Sequence, residues 1–305
     1  MAGPTASGKT DLALALARTW GGEVVSADSC QIYRELSVGT AKPVRDAAGL
    51  VDGVAYHMLD QASIAENFDA GRYARAASAC IAEISARGRT PIVAGGTGLY
   101  LKALLEGLAP LPPRDPEARR RLEAEAQEHG RASLHARLAR LDPEAAAAIP
   151  ANNIQRTVRA LEVIGLTGRP ISELWRQGRR GSLAEAGLPA PRAVLRIDWP
   201  AEELRQRIAR RSRGMWPDLL EEVRGLLKKF SGTEPGFQSL GYAEAVACAR
   251  GELPPQEGLA RLVASTCAYA KRQRTWFRTQ LAAQPLAGGD PDSMLRGACA
   301  LISPK

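Results

Sequence analysis

Apolar positions along the first 110 residues switch between two periods. Over residues 10–20 (TDLALALARTW) they recur at helical spacing, and Gly21 and Gly22 stop the run. Residues 23–28 (EVVSAD) form a short β-branched run, and residues 55–60 (AYHMLD) read as another strand. Residues 69–87 are Ala-rich and helical, ended by Gly88. The run TPIVAGG at 90–96 has the pattern of a buried strand, and residues 98–108 read as the next helix. Strands alternating with helices in this way predict an α/β fold, a parallel sheet with helices on its faces. A later strand, AVLRIDW at 193–199, is expected to rejoin that sheet.

The texture changes at the proline-rich LAPLPPRDPE, residues 108–117. From there to about residue 180 the pattern is helical and charged, with thirteen Arg against nine acids over 114–180. The expected organisation is an α/β core over residues 1–112 and 187–285, a helical insertion over 113–186, and a poorly patterned tail over 286–305.

Composition narrows the class further. With 45% hydrophobic and 24% charged residues, the 305-residue chain is neither disordered nor fibrous. No apolar run approaches the ~18 residues of a membrane helix, so the expectation is a cytoplasmic protein with no membrane partner. Five cysteines without a C-x-x-C, and three scattered histidines, argue against a disulfide scaffold or a zinc site. The net charge is +8, and of 41 basic residues only seven are Lys. Such a balance fits an anionic partner, and equally an Arg-rich composition, until the distribution of charge is considered.

The sharpest local signal is GPTASGKT: Gly3, Pro4, Thr5, Ala6, Ser7, Gly8, Lys9 and Thr10. This is the G-x-x-x-x-G-K-[ST] phosphate loop. Its backbone N–H groups turn around phosphate oxygens, Lys9 reaches the terminal phosphates, and the Thr10 hydroxyl can ligate Mg²⁺. The loop alone leaves kinases, nucleotide hydrolases that use ATP, and transferases that release diphosphate all open. It normally follows a buried central strand, whereas only Met1 and Ala2 precede Gly3. The expectation is therefore a translation start upstream of Met1, or a core weaker than its pattern implies. After the second strand stands Asp28, at a strand end beside the loop, where ligands gather in α/β sheets. It could hold Mg²⁺, act as a base, or simply cap a turn.

Five blocks in order carry a resemblance: GPTASGKT; DSCQIYRELSVGTAKP (28–43); GGTGLYLKALLEGL (95–108); RALEVIGLTGRPIS (159–172); and YAKRQRTWFR (269–278). Together they closely resemble the bacterial tRNA dimethylallyltransferases, the tRNA isopentenyl transferase family. The resemblance implies a P-loop NTPase-like α/β core with an all-helical insertion. It implies transfer of a dimethylallyl group from dimethylallyl diphosphate to the exocyclic amine of the adenosine 3′ of the anticodon. Mg²⁺ would be the cofactor, the tRNA anticodon stem-loop the partner, and the enzyme a monomer.

By that resemblance Asp28 is the general base, while Asp28, Ser29, Cys30 and Gln31 contact the flipped-out base. Thr97, Arg119 and the Q-R-x-x-R segment (Gln155, Arg156, Thr157, Val158 and Arg159) contact tRNA, and Arg211 joins residues 3–10 on the diphosphate. The family's H-P-N-D-like segment is replaced by IPANNIQR (149–156), and MWPDLLEEV (215–223) is one residue short of its pattern. Cys267 stands where the family often has Arg.

Three rivals remain at this stage: a prenyltransferase acting on AMP, a phosphate-loop kinase or NTPase, and a non-catalytic RNA-binding protein. Against the first stands the Arg-rich insertion. Against the last stands Asp28 beside an intact Lys9 and Thr10. Basic clusters at 205–213 and 269–278, the second interleaved with Tyr269, Trp276 and Phe277, fit RNA phosphates and stacking.

Overall fold

The computed structural model describes residues 1–177 and 181–302. Helix α1 (Lys9–Trp20) springs from the phosphate loop and is followed by strand β1 (Gly22–Ser26). A short hairpin, β2 (Leu50–Val51) and β3 (Val54–His57), comes next. Its two-residue turn, Asp52 and Gly53, has positive φ at both positions (46° and 76°), the geometry that matches strand twist. Then come α2 (Ala70–Ala86), β4 (Thr90–Ala94) and α3 (Gly98–Leu105).

The chain next forms a separate compact unit, Glu106–Arg180. Its helices are α4 (Pro116–Glu128), α5 (Arg131–Leu141), α6 (Pro143–Ala148), α7 (Ile154–Thr167) and α8 (Ile171–Arg176). Proline or an Asp or Asn cap starts three of them: Asp115 caps α4, Asp142 caps α6 and Asn153 caps α7. Leu134, Leu138, Ile149, Val158 and Val163 form their shared core, each 1% exposed or less.

The first unit, Met1–Leu105 and Gly181–Lys305, resumes with α9 (Ser182–Glu185) and β5 (Leu195–Asp198). It continues with α10 (Ala201–Leu226), α11 (Tyr242–Ala249), α12 (Pro255–Gln280), β6 (Gln284–Ala287) and α13 (Pro291–Ile302). Four strands pair in the order β2-β3-β1-β4, with β3, β1 and β4 parallel and Val24 in register with both Tyr56 and Ile92. Strands β5 and β6 pair in parallel beside them. Ala2 joins the two sets by bridging Gly95 on one side and Arg196 on the other. Two apolar clusters lie on this unit's faces. One is built on α1 and α13, the other on α2, α3, α10 and α11. No helix among the described residues is long and apolar enough to cross a membrane.

Two expectations about organisation are corrected. The expected tail carries regular structure: Leu286 of β6 is 5% exposed, and Met294 and Ala298 of α13 are buried. Short apolar runs broken by Pro285, Gly288, Gly289 and Pro291 hid both elements. The insertion also starts and ends earlier than 113–186. Arg159 donates to the Pro112 carbonyl (2.6 Å) and Leu111 packs on the helical core, so residues before 113 belong to the insertion's unit. Leu183 is buried with Leu104 and Ile81 in the first unit's core, which claims α9. Of the expected insertion, residues 178–180 lie outside the described residues, as do residues 303–305 of the expected tail.

Candidate active site

The phosphate loop is held open by its own backbone and by side chains from far along the chain. Gly8 has φ 84°, the left-handed conformation that favours glycine, and Ala6 shares it at 62°. A Cβ at Gly3 would stand 2.7 Å from the Ser7 hydroxyl, so glycine is required there by close approach. Four later side chains grip the loop. Trp199 donates its indole N–H to the Ser7 carbonyl (3.0 Å), and Arg207 donates to the Ala6 carbonyl (2.8 Å) while stacking over Trp199. Arg211 donates to the Thr5 hydroxyl. Gln273 accepts from the Thr5 N–H (2.9 Å) and donates to the Gly96 carbonyl (2.8 Å), tying the loop to the end of β4.

Inside this frame Thr5, Lys9, Thr10, Asp28, Tyr56 and Arg211 line a small polar cavity of about 80 Å³. Lys9 reaches back to the Pro4 carbonyl (3.0 Å). Burial pulls its ammonium down to about 8; the Asp28 charge opposes that and the Arg211 charge adds to it. Burial likewise lowers Arg211, with Asp28 opposing. Two enclosed polar atoms, Ser7 Oγ and Arg211 Nε, have no partner among the described residues. Two cations and an unsatisfied donor converging on a loop of backbone amides form a receptor for a polyanion.

The DSCQ segment begins where β1 ends. The Asp28 carboxylate accepts from the Cys30 N–H (2.9 Å), an Asx turn that leaves its remaining acceptor capacity toward the cavity. Thr97 accepts from the Ser29 N–H (2.9 Å) and donates to the Ser29 hydroxyl (3.1 Å), fixing that turn to the loop after β4. Burial first, then the Asp28 charge, pushes the Cys30 thiol up to about 11, so it stays protonated and unreactive. Gln31 is buried, accepting from Ser26 and donating to the Thr40 and Ala41 carbonyls. Residues 3–10, 28–31, 97 and 211 therefore come together in the first unit.

In the helical unit the family-derived positions divide by exposure. Gln155 and Arg156 are exposed on α7, whereas Thr157 and Val158 are 1% exposed and face the helical core. Arg159 pairs with buried Glu162 (2.8 Å), and Arg119 approaches the same carboxylate at 3.6 Å. The buried acid turns Arg159 inward, whereas Arg156 stays exposed.

Gln273, Arg207 and Trp199 were not singled out by sequence reasoning as site residues. Gln273 had a signal: on α12 it falls on the buried face with Ala270 and Phe277, and a polar side chain there needs a partner. The Arg205–Arg213 cluster was read as fitting RNA phosphates, with Arg211 alone set beside the phosphate loop. Arg207 joins Arg211, one turn away on α10, in bonding to that loop, while Arg205 is exposed.

A parallel sheet, a gripped phosphate loop and a carboxylate at the adjacent strand end define an α/β phosphate-loop enzyme, with two cations and that carboxylate around one cavity. A family model described as IPP transferase matches residues 31–280. Over 298 residues the chain is 49% identical to the tRNA dimethylallyltransferase of Anaeromyxobacter dehalogenans (strain 2CP-C), covering 97% of each chain. It is 48% identical to that of Anaeromyxobacter sp. (strain Fw109-5), covering 97% of this chain and 96% of the other. Among solved structures it resembles the full-length tRNA isopentenylpyrophosphate transferase of Bacillus halodurans, with a TM-score of 0.68 and 33% identity. That match covers 98% of this chain and 93% of the other. The chain belongs to the IPP transferase family.

Proposed function

We propose that the protein transfers a dimethylallyl group from dimethylallyl diphosphate to the exocyclic amine of the adenosine 3′ of the anticodon in tRNA, releasing diphosphate. The observation that carries this reading is the placement of Lys9, Arg211 and Asp28 around one cavity on the phosphate loop. The loop amides, Lys9 and Arg211 receive the diphosphate. Asp28 stands at the edge of the same cavity, where a base flipped from the anticodon loop would bring its amine.

In the reaction the amine lone pair forms a bond to the allylic carbon as the carbon–oxygen bond to diphosphate breaks. The electron pair leaves with the diphosphate, where Lys9 and Arg211 stabilise the growing charge. The proton lost from nitrogen passes to the Asp28 carboxylate. Mg²⁺ fits this site, because at phosphate sites it takes one or two protein oxygens and completes its shell with phosphate and water. The Thr10 hydroxyl is the oxygen that would hold it, and the ion would neutralise charge on the leaving group.

The Glu106–Arg180 unit supplies the tRNA-binding insertion in this reading, with exposed Gln155 and Arg156 as contacts. We place the protein in the cytoplasm as a monomer, where its five free thiols stay reduced. The test is incubation of labelled dimethylallyl diphosphate and Mg²⁺ with unmodified tRNA. Label on the RNA is expected. Label on free AMP alone, or brisk ATP turnover without labelled RNA, would overturn the reading.

A further inference from the structure

Glu162 of α7 is 1% exposed, an acid enclosed by the core of the helical unit. A carboxylate taken out of water needs partners on both oxygens. One oxygen accepts from the N–H of Asp115, the residue that caps α4 (2.7 Å). The other accepts from Arg159 (2.8 Å), and the Arg119 guanidinium lies 3.6 Å from it. The acid thus ties the first turn of α4 to the middle of α7.

The two arginines stand differently toward it. Arg159 is spent inward, with one nitrogen on Glu162 and the other on the Pro112 carbonyl (2.6 Å). Arg119, at 3.6 Å, is in ion contact but beyond hydrogen-bond length. Its side chain donates no hydrogen bond to any described residue, and it keeps 22% of its surface open to water. The carboxylate therefore fixes where this charge sits without using its donors. A guanidinium held in that way is prepared for a two-pronged anion such as a phosphate. Exposed cations surround it in the fold: Arg120 and Arg121 follow it on α4, and Arg156 precedes Arg159 by one turn of α7. A cluster of that sign attracts a phosphodiester backbone.

We propose that Glu162 is a positioning residue for tRNA: braced by Arg159 and the Asp115 N–H, it aims Arg119 at one backbone phosphate. This rests on tRNA being the substrate. Arg159, although it stands in the Q-R-x-x-R segment, is then a strut for the acid and not an RNA contact. The gain is preorganisation. A loose surface arginine loses side-chain freedom when it binds, and one already held loses little.

The sign of the charge effect separates aiming from simple electrostatics. Glu162→Gln in the full chain keeps the shape of the side chain and an acceptor for the Asp115 N–H, and removes one negative charge. By charge alone, binding of an unmodified anticodon stem-loop RNA should become tighter and more salt-dependent. Aiming requires the reverse, about tenfold weaker binding, the scale of one charged hydrogen bond. The slope of log affinity against log salt should also fall by about one, as for any lost phosphate contact. Arg119→Ala should give the same two changes, and the double variant should bind no more weakly than Arg119→Ala, because both act through one contact. Fluorescence anisotropy over a series of KCl concentrations, well below each variant's Tm, reads all of these. Where Glu162→Gln does not fold, Glu162→Asp serves, since it keeps the charge but draws it back by one methylene; it too should bind about tenfold more weakly. Equal or tighter binding by the folded Glu162 variant, or additive losses in the double variant, would overturn the positioning role alone. Failure of the unaltered chain to bind the stem-loop would instead remove the tRNA reading beneath it.

Discussion

The Tyr242 hydroxyl donates to the Glu222 carboxylate at 2.6 Å, and from this pair hangs the loop whose Thr40 and Ala41 line the phosphate-loop cavity. The second Glu222 oxygen accepts from the Ser37 and Val38 N–H groups, at 3.0 and 2.9 Å. Tyr242 in turn accepts from the Gly39 N–H. The next two residues, Thr40 and Ala41, offer the carbonyls that hold Gln31. Removing the carboxylate strands three donors, each worth about 1–3 kcal/mol where water cannot replace it. Glu222→Ala should therefore lower Tm and slow transfer to tRNA while diphosphate affinity, measured by calorimetry, stays near wild type. Tyr242→Phe should show the milder form of the same pattern.

Asp28→Ala should lose about 10²–10⁴ in the single-turnover rate with both substrates saturating, the usual worth of a positioned base. Circular dichroism should show it folded. Asp28→Asn keeps the Asx turn to Cys30 and removes only the proton acceptor, so it should be as slow as the alanine variant. A near wild-type rate in either would leave the carboxylate a turn residue.

Lys9 should give diphosphate binding a pH dependence. Its ammonium is lowered to about 8 by burial in the free protein, against an ordinary value of 10.5. A bound polyanion favours the charged form. Below pH 8 Lys9 is already protonated and binding is at its strongest. Above pH 8 binding must draw a proton from solution, so affinity should fall, by up to tenfold per pH unit. Calorimetry at pH 8.5 in two buffers of different ionisation heat should show proton uptake that Lys9→Arg abolishes. For the free protein the sign reverses. Between about pH 8 and 10.5 the unfolded chain holds the extra proton, so this group's contribution to stability rises with pH.

Arg156 and Arg159 should separate. Arg156→Ala removes an exposed cation and should weaken tRNA binding, flatten its salt dependence and leave Tm unchanged. Arg159→Ala takes a charged hydrogen bond from Glu162, which is 1% exposed. It should destabilise the helical unit by about 1.5–3 kcal/mol in urea unfolding. Arg119 and the Asp115 N–H remain to hold the acid, which keeps the loss at that scale.

Gln273→Leu should weaken diphosphate binding several-fold, because the Thr5 N–H and the Gly96 carbonyl lose their shared partner. Gln273→Glu keeps the acceptor but adds a negative charge beside the loop, and should bind diphosphate more weakly still.

Much of this was written plainly in the chain. The period switch over the first 110 residues placed α1, β1, β3, α2, β4 and α3 within a few residues, since each is bounded by a Gly or an abrupt change in period. The VDGV hairpin at 51–54 carried a strong turn signal, yet β2 is two residues long and has no period to detect. Strand β6 and helix α13 were missed because three of β6's four residues stay exposed, so burial marks one position only. Site residues inside a motif were legible. Those that act through another residue were less so. Arg211 was reached only through the resemblance, and Arg207 looks like any other of the five arginines until the α10 register shows it pointing at the loop. Thr157 and Val158 stand in a binding motif but are needed by the core.

Ala2 is paired with Leu195 and Ile197, and every side chain that grips the phosphate loop comes from residue 199 or later. On the ribosome, residues 3–10 therefore emerge long before those side chains can hold them in shape. A nascent chain that ends at residue 180 contains the whole loop motif and Asp28 but has no Trp199, Arg207, Arg211 or Gln273. Closing such distant contacts is slow, because chain entropy is lost before any contact compensates for it. The anion receptor is thus among the last parts of the molecule to become competent, and a chain cut short in translation carries the motif without the means to bind through it.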